Sequence, residues 1–158
     1  MKVAIGTDLS GLILKDAVKR HLTEAGHEVL DLGQQDSESP EVYYSEAAEN
    51  VAEAILSGKA ERGILICHTG GGMNIVANKI RGIYALSCES PYTAKMASTV
   101  NGCNVLVMGQ GIVAPAMGCD MADEFLNHSW NDGFPQWRIE LSKRLTPKMI
   151  EVEEKNFK

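Results

Sequence analysis

Five short apolar runs, at residues 3–5, 29–32, 63–67, 84–88 and 105–108, alternate with longer stretches of helical spacing. Leu14, Val18 and Leu22 recur at four-residue intervals in one such stretch, and Ala48, Val51, Ala52 and Ile55 share one face of another. Strands that are apolar throughout need cover on both faces, and strands separated by helices are joined by crossovers, which makes them parallel. The alternation predicts a doubly wound α/β fold: a five-stranded parallel sheet sandwiched between helices.

Gly26 and Gly58 stand where helix C-caps fall and are expected to end the first two helices. Residues 36–40 read as a polar loop. No repeat, low-complexity segment or linker interrupts the 158 residues, so the chain reads as one domain. Residues 136–158 form a charged, helical tail, a C-terminal extension expected to be a solvated cover or a subunit contact. Pro147 is expected to start a second helical piece within it, since proline is tolerated in a first turn.

Charge and cysteine usage remove several function classes. A formal net charge of −6 argues against a protein that tracks a nucleic-acid backbone. No apolar run is long enough to span a bilayer, so no membrane partner is expected. Met1 leads directly into Val3-Ala4-Ile5, with no charged segment and long apolar stretch of the kind that directs export. The expected location is the cytoplasm, where Cys67, Cys88, Cys103 and Cys119, none in a C-x-x-C pair, are reduced thiols.

Open α/β sheets bind ligands at the carboxyl ends of their strands. Those ends fall at Thr7-Asp8-Leu9-Ser10-Gly11 and at residues 67–74, 88–92 and 109–112. The most informative is Cys67-His68-Thr69-Gly70-Gly71-Gly72-Met73-Asn74, where a strand ends, three glycines turn the chain and a helix is expected near Met73. Glycines bend the backbone tightly and gather N–H groups at the positive end of a helix dipole, which makes an anion hole. The loop is neither a nucleotide-binding G-K-[ST] loop nor a G-x-G-x-x-G turn.

Cys67 at the edge of that turn adds chemistry. A helix N-terminus favours the thiolate, and a thiolate beside an oxyanion hole suits proton abstraction from carbon, the charge moving onto oxygen as an enediolate. It suits nucleophilic attack on a carbonyl equally well, with His68 as a possible base. Thr69 carries a hydroxyl able to relay a proton between neighbouring oxygens.

These residues resemble the ribose-5-phosphate isomerase type B and galactose-6-phosphate isomerase family. The resemblance rests on Gly6-Thr7-Asp8, Gly11-Leu12-Ile13-Leu14-Lys15, Tyr44 and Cys67-x-Thr69-Gly70-x-Gly72. Ala77-Asn78-Lys79-Ile80-x-Gly82, Asn101 and Asn104-Val105-Leu106-Val107-Met108-Gly109 complete it, so that it reaches from Met1 to about Arg138. It implies an aldose–ketose isomerase acting on a sugar phosphate, with a Rossmann-like sheet and neither metal nor organic cofactor. It also implies a homodimer or dimer of dimers with shared active sites. Cys67 would move the proton between carbons 2 and 1, and Thr69 and Asp8 would handle the hydroxyl protons. Backbone N–H groups of Gly70, Gly71, Gly72 and Met73, with Asn74 following, would hold the enediolate. Tyr44, Asn101 and Arg138 would contact substrate, Asn101 from the partner subunit; His68, where the family often has glycine, is a further candidate contact.

The chain departs from the ribose type at informative places. Leu9 and Val100 stand where that type carries histidines, the second of which opens the furanose ring. Gln110 stands where an arginine is expected, and Arg138 is the one arginine kept of a later pair. The departures point to a substrate that is already open-chain, and a tetrose 4-phosphate, whose O4 is esterified, cannot close a furanose ring. D-Erythrulose 4-phosphate and erythrose 4-phosphate are the expected pair. Three rival readings remain: a pentose or hexose phosphate isomerase using His68 for ring opening, a non-catalytic or hetero-oligomeric sugar-phosphate-binding subunit, and a thiol hydrolase pairing Cys67 with His68. Lys15, Lys79 and Arg81 are expected to be solvated.

Overall fold

The computed structural model describes residues 1–157. Strands β1 (Lys2–Thr7), β2 (Glu28–Asp31), β3 (Arg62–Cys67), β4 (Ala85–Ser87) and β5 (Val105–Gly109) form one sheet in the order β2-β1-β3-β5-β4. Every neighbouring pair is parallel. Helices α1 (Leu12–Glu24), α2 (Tyr44–Leu56), α3 (Gly71–Ala77) and α4 (Pro91–Thr99) make the crossovers; α5 (Pro115–Leu126) and α6 (Gln136–Asn156) follow the last strand. No helix among the described residues is long and apolar enough to cross a membrane.

The two-residue side-chain period of a strand divides the core in two. Val3, Ile5, Ile64, Ile66, Leu106 and Met108 pack with Leu14, Val18 and Leu22 of α1, Ala94 of α4, and Met121 and Phe125 of α5. Ala4, Leu65, Cys67, Val105 and Val107 face the other way, onto Ala47, Ala48 and Val51 of α2 and Met73 and Ala77 of α3. Burying each large aliphatic side chain contributes about 1.5–3 kcal/mol, so both layers are strongly held. Cys67 falls on the α2/α3 side.

The strand order positions the site. From β1 the chain steps out to β2, then returns past β1 to β3, so α1 and α2 lie on opposite faces. The carboxyl ends of β1 and β3 therefore bracket a crevice, the switch point of the fold. Thr7, fully buried, closes its floor: its hydroxyl donates to the Ile66 carbonyl at 2.7 Å.

Several sequence expectations are corrected. The third helix starts at Gly71, two residues before Met73. β4 is shorter than residues 84–88, spanning Ala85–Ser87. Lys15 is not solvated but 1% exposed, paired with Asp31 at 3.0 Å and Asp16 at 2.9 Å; Lys79 and Arg81 are exposed as expected. Pro147 starts no second piece and lies inside the unbroken α6. Its missing N–H leaves the carbonyl of Lys143 unmatched, and both residues are exposed, so water satisfies that carbonyl. Gly26 and Gly58 follow α1 and α2 with φ of 87° and 74°, as helix-ending residues do.

Gly33 lies against the end of β1, where a Cβ would come within 2.1 Å of the Thr7 nitrogen. At Gly118 the nearest obstacle is Cδ1 of Leu14 at 2.5 Å, the free end of a side chain. Gly33→Ala is expected to lower stability by about 3 kcal/mol in denaturant unfolding, because backbone cannot yield. Gly118→Ala is expected to be near neutral, since about 1 kcal/mol of helix propensity offsets the movement of Leu14.

Candidate active site

Cys67 ends β3 and is 6% exposed. The chain then doubles back across the end of β5, with the Thr69 carbonyl carbon 2.6 Å from the point a Cβ on Gly109 would occupy. Two backbone bonds clamp this crossing: Gln110 N–H to the Cys67 carbonyl and Gly111 N–H to the His68 carbonyl, each 2.8 Å. Gly70 then takes a left-handed conformation, φ 81°, and caps α3. Glycine adopts this without a Cβ penalty.

The consequence is electrostatic. Gly70 N–H points back at Cys67 and donates to Sγ at 3.1 Å. The sulfur thus has a backbone donor beside the first turn of α3. The N–H groups of Gly71, Gly72 and Met73 lie in the first turn of α3, with no carbonyl four residues back to bond. Gly71 reaches only the Thr69 hydroxyl, at 3.4 Å. The expectation that Gly70 to Met73 all present N–H groups to an anion, with Asn74 also at the substrate, is thus narrowed. Gly70 serves the sulfur, and the Asn74 N–H is taken by the Gly70 carbonyl at 3.1 Å.

Tyr44 and Asp8 come to the same end of the sheet. The Tyr44 ring covers the turn, its edge carbons 3.2 Å from where a Cβ on Gly72 would sit. Asp8 caps a single 3-10 turn, Leu9–Gly11, its Oδ1 accepting from the Ser10 N–H at 2.9 Å and from the Ser10 hydroxyl at 2.6 Å. Between these two elements lies a cavity of about 200 Å³ lined by Asp8, Leu9, Ser10, Glu41, Val42, Tyr43 and Tyr44.

Other expected residues lie elsewhere. His68 is exposed and rests its ring on Gly111, beyond β5, while Cys67 faces α2 and α3. No hydrogen bond joins the two among the described residues. Asn101 follows α4 at the amino end of the sheet, beside Tyr84, Gly102 and Trp130. Arg138, in the first turn of α6, lies over the Phe134 ring at 5.5 Å and donates to the Ser142 hydroxyl at 3.3 Å. Within one chain, neither reaches the Cys67 end.

The hydrogen-bonding roles of two polar residues at the site were not read from the sequence. The Ser10 hydroxyl on Asp8 was visible in principle as an Asp-x-Ser turn signal. Gln110 was not: its Oε1 accepts the Leu14 N–H at 3.0 Å and supplies the cap that Gly11, without a side chain, cannot give α1. Nothing local pairs residues so distant in sequence. Among the described residues, no group of three or more His, Cys, Asp or Glu is placed to hold a metal ion.

The β1/β3 crevice thus gathers a thiol, a glycine turn with unbonded backbone N–H groups and a carboxylate. Residues 3–141 match the family model for the ribose/galactose isomerases. The chain is 44% identical over 158 residues to the 4-deoxy-4-sulfo-D-erythrose isomerase of Clostridium sp. (strain MSTE9), covering 100% of this chain and 99% of that one. It is 40% identical to ribose-5-phosphate isomerase B of Escherichia coli (strain K12), covering 88% of this chain and 92% of that one. The ribose-5-phosphate isomerase B structure from Clostridium thermocellum superposes with a TM-score of 0.87 at 36% identity, covering 98% and 99% of the two chains. The chain belongs to the ribose/galactose isomerase family, and it is an isomerase.

The four thiols are in unlike surroundings. Burial pushes Cys103 up to about 12 and raises Cys88 and Cys119 as well. A raised thiol has less thiolate at neutral pH, and the thiolate is what reacts. Brief alkylation near neutral pH, mapped by peptide mass spectrometry, is expected to modify Cys67 first. Labelling of the more exposed Cys119 ahead of Cys67 would show that the Gly70 contact does not activate the sulfur.

Proposed function

We propose that the enzyme interconverts an open-chain four-carbon aldose and its 2-ketose, the sugar carrying an anionic group on carbon 4, and that this group is a sulfonate. The observation that carries the reading is a site without imidazole at positions 9 and 100, in a chain similar along its whole length to a 4-deoxy-4-sulfo-D-erythrose isomerase. A 4-deoxy-4-sulfo sugar has no O4 with which to close a furanose ring, so ring opening requires no residue. Charge supports the same choice. A phosphate monoester carries about 1.5–2 negative charges at neutral pH and is read best by bidentate arginine. A sulfonate carries one. Leu9 and the neutral amide of Gln110 match the smaller demand.

On this reading Cys67 thiolate takes the proton from carbon 2. The C–H electron pair becomes the C1=C2 double bond, and the carbonyl electrons move onto O1, giving a cis-enediolate. The N–H groups of Gly71, Gly72 and Met73 stabilise that charge. Asp8 and Thr69 move the proton between O2 and O1 as the carbonyl forms at carbon 2, and Cys67 returns its proton to carbon 1. Tyr44 positions the sugar over the turn. The tetrose 4-phosphate pair shares the open-chain property and is the second reading.

A second copy of the chain completes the site in this proposal, bringing Asn101 and Arg138 to the Cys67 end. Two observations favour it. Exposed apolar side chains gather at the carboxyl end of the sheet: Leu9, Ile13 at 68% exposure, Tyr92 at 71% and Ile112. α6, which carries Arg138, leaves Trp137, Leu145, Met149 and Val152 exposed. Each patch supplies what the other lacks.

Proton NMR in deuterated water with 4-deoxy-4-sulfo-D-erythrose, erythrose 4-phosphate and ribose 5-phosphate tests the substrate. Sulfo-sugar turnover with solvent deuterium incorporated is expected, and Cys67→Ala is expected to abolish it. Ribose 5-phosphate as the best substrate would move ring opening onto His68, and silence across the panel would favour a binding subunit.

The shared site has its own test. Cys67→Ala and Arg138→Ala are each expected to be nearly inactive alone and to regain activity when mixed under conditions that exchange subunits, because one hybrid site is then intact. Mixtures as inactive as their parts would put both residues in the same site.

A further inference from the structure

Two polar side chains with no part in the chemistry above are almost completely withdrawn from water. Lys15 and Gln34 are each 1% exposed. A buried lysine is rare unless its charge is met, and here it is. Lys15 Nζ meets Asp16 at 2.9 Å and Asp31 at 3.0 Å and donates to the Gln34 carbonyl at 3.2 Å. Burial works to lower its pKa, yet the bonds to Asp16 and Asp31 outweigh this and hold it above the usual lysine value. The ammonium is therefore charged at neutral pH and fixes the Gln34 backbone from below. From the side, Gln34 N–H donates to the Thr7 carbonyl at 2.8 Å.

The Gln34 side chain then spans the loop that follows. Its Oε1 accepts the Val42 N–H at 2.6 Å, and its Nε2 donates to the carbonyls of Asp36 at 2.7 Å and Ser39 at 3.2 Å. One amide thus joins both ends of the loop to its middle. Val42, Tyr43 and Tyr44, which follow, form one wall of the 200 Å³ cavity, whose other wall is Asp8, Leu9 and Ser10. Glu46 fixes the start of α2 by accepting the Tyr43 N–H at 2.8 Å; Val42 packs on the α2/α3 core, and among the described residues its N–H bonds only to Gln34.

We propose that Gln34, anchored through Lys15, is a positioning residue for the substrate site: its amide sets the spacing between residues 42–44 and residues 8–10 and so holds Tyr44 over the glycine turn. The proposal rests on the reading that substrate lies between Tyr44, Asp8 and the turn. A residue of this kind acts on binding more than on proton transfer, because Cys67 and its donors belong to a different pair of segments.

The test combines a measurement without substrate and one with it. In Gln34→Ala, hydrogen exchange of the Val42 amide is expected to quicken about tenfold, the effect of losing roughly 1.4 kcal/mol of local hydrogen bonding, while β3 amides stay as slow as in the native protein. With the four-carbon substrate the native enzyme turns over, KM is expected to rise about tenfold and kcat to change less than about threefold. Gln34→Glu sets an acceptor against the Asp36 and Ser39 carbonyls in place of the donor, so it is expected to raise KM at least as much as Gln34→Ala. Unchanged Val42 exchange overturns the clamp. Faster exchange with an unchanged KM, or a kcat that falls with the folded fraction alone, overturns the role in substrate binding. If the native enzyme turns over no four-carbon sugar, the proposed substrate fails, and the exchange measurement still decides whether the clamp exists.

Discussion

The pairing of β1 with β3 is the constraint on which the rest of this structure depends. Because the chain goes outward from β1 on one side and returns to β3 on the other, the crossovers leave on opposite faces. Their starting segments separate, and a crevice opens where two strands are still hydrogen-bonded below. Thr7 binds the carbonyl of Ile66 at the last step before they part, so the floor is closed without a side chain filling the mouth. Asp8 and Cys67, each one residue beyond that bond in its own strand, are thereby delivered to the two sides of the same opening. Neither could be moved by one position without turning its side chain to the other face of the sheet.

A second economy lies in the turn after β3. The same left-handed residue that ends the strand segment and starts α3 also aims its N–H at sulfur. One backbone conformation thus supplies the cap, the reversal and the donor to sulfur, and in the proposed mechanism the next three N–H groups meet the oxyanion. These donors are backbone groups of a turn clamped to β5, so they need little reorganisation when charge develops, which is the condition for strong electrostatic stabilisation. The turn is held by backbone bonds to β5, whereas the opposite loop wall is held by the side chain of Gln34.

What was legible in the sequence follows from the range of the interactions involved. Strand runs, helix faces, the terminating glycines and the Cys67 turn are written in neighbouring residues, and the five strands and first helices fall close to where periodicity puts them. Lys15 was misread because burial of a charge depends on Asp31 and on carbonyls from the next loop, none of which is a helix neighbour. Pro147 was misread because its cost depends on which side of α6 faces water. Gln110 caps α1 across 96 positions of sequence, and a glutamine has no signature for that. The resemblance to the isomerases carried Tyr44 and Asp8 to the site where composition alone offered no reason to single them out. It also named Asn101 and Arg138, which a single copy of the chain holds at the far end.

That separation has a physical sense in the proposed dimer. Proton transfer needs donors and a base held to within fractions of an ångström, and one rigid turn provides them. Recognition of a small anion needs cationic or amide donors brought round its far side, and the mouth of one subunit offers little beyond the neutral amide of Gln110 there. Lys15, the basic residue nearest the crevice in sequence, is already neutralised by Asp16 and Asp31. In the proposed dimer the anchoring charge comes from the neighbour, so an isolated chain would keep the Cys67 turn but hold substrate weakly. A full arginine set would favour a dianion by more than it favours a monoanion, whereas a single arginine and fixed amides narrow that difference. On the proposed substrate, the neutral Gln110 at the recognition end and the absence of imidazole at positions 9 and 100 answer to one property: an acyclic sugar bearing a single negative charge.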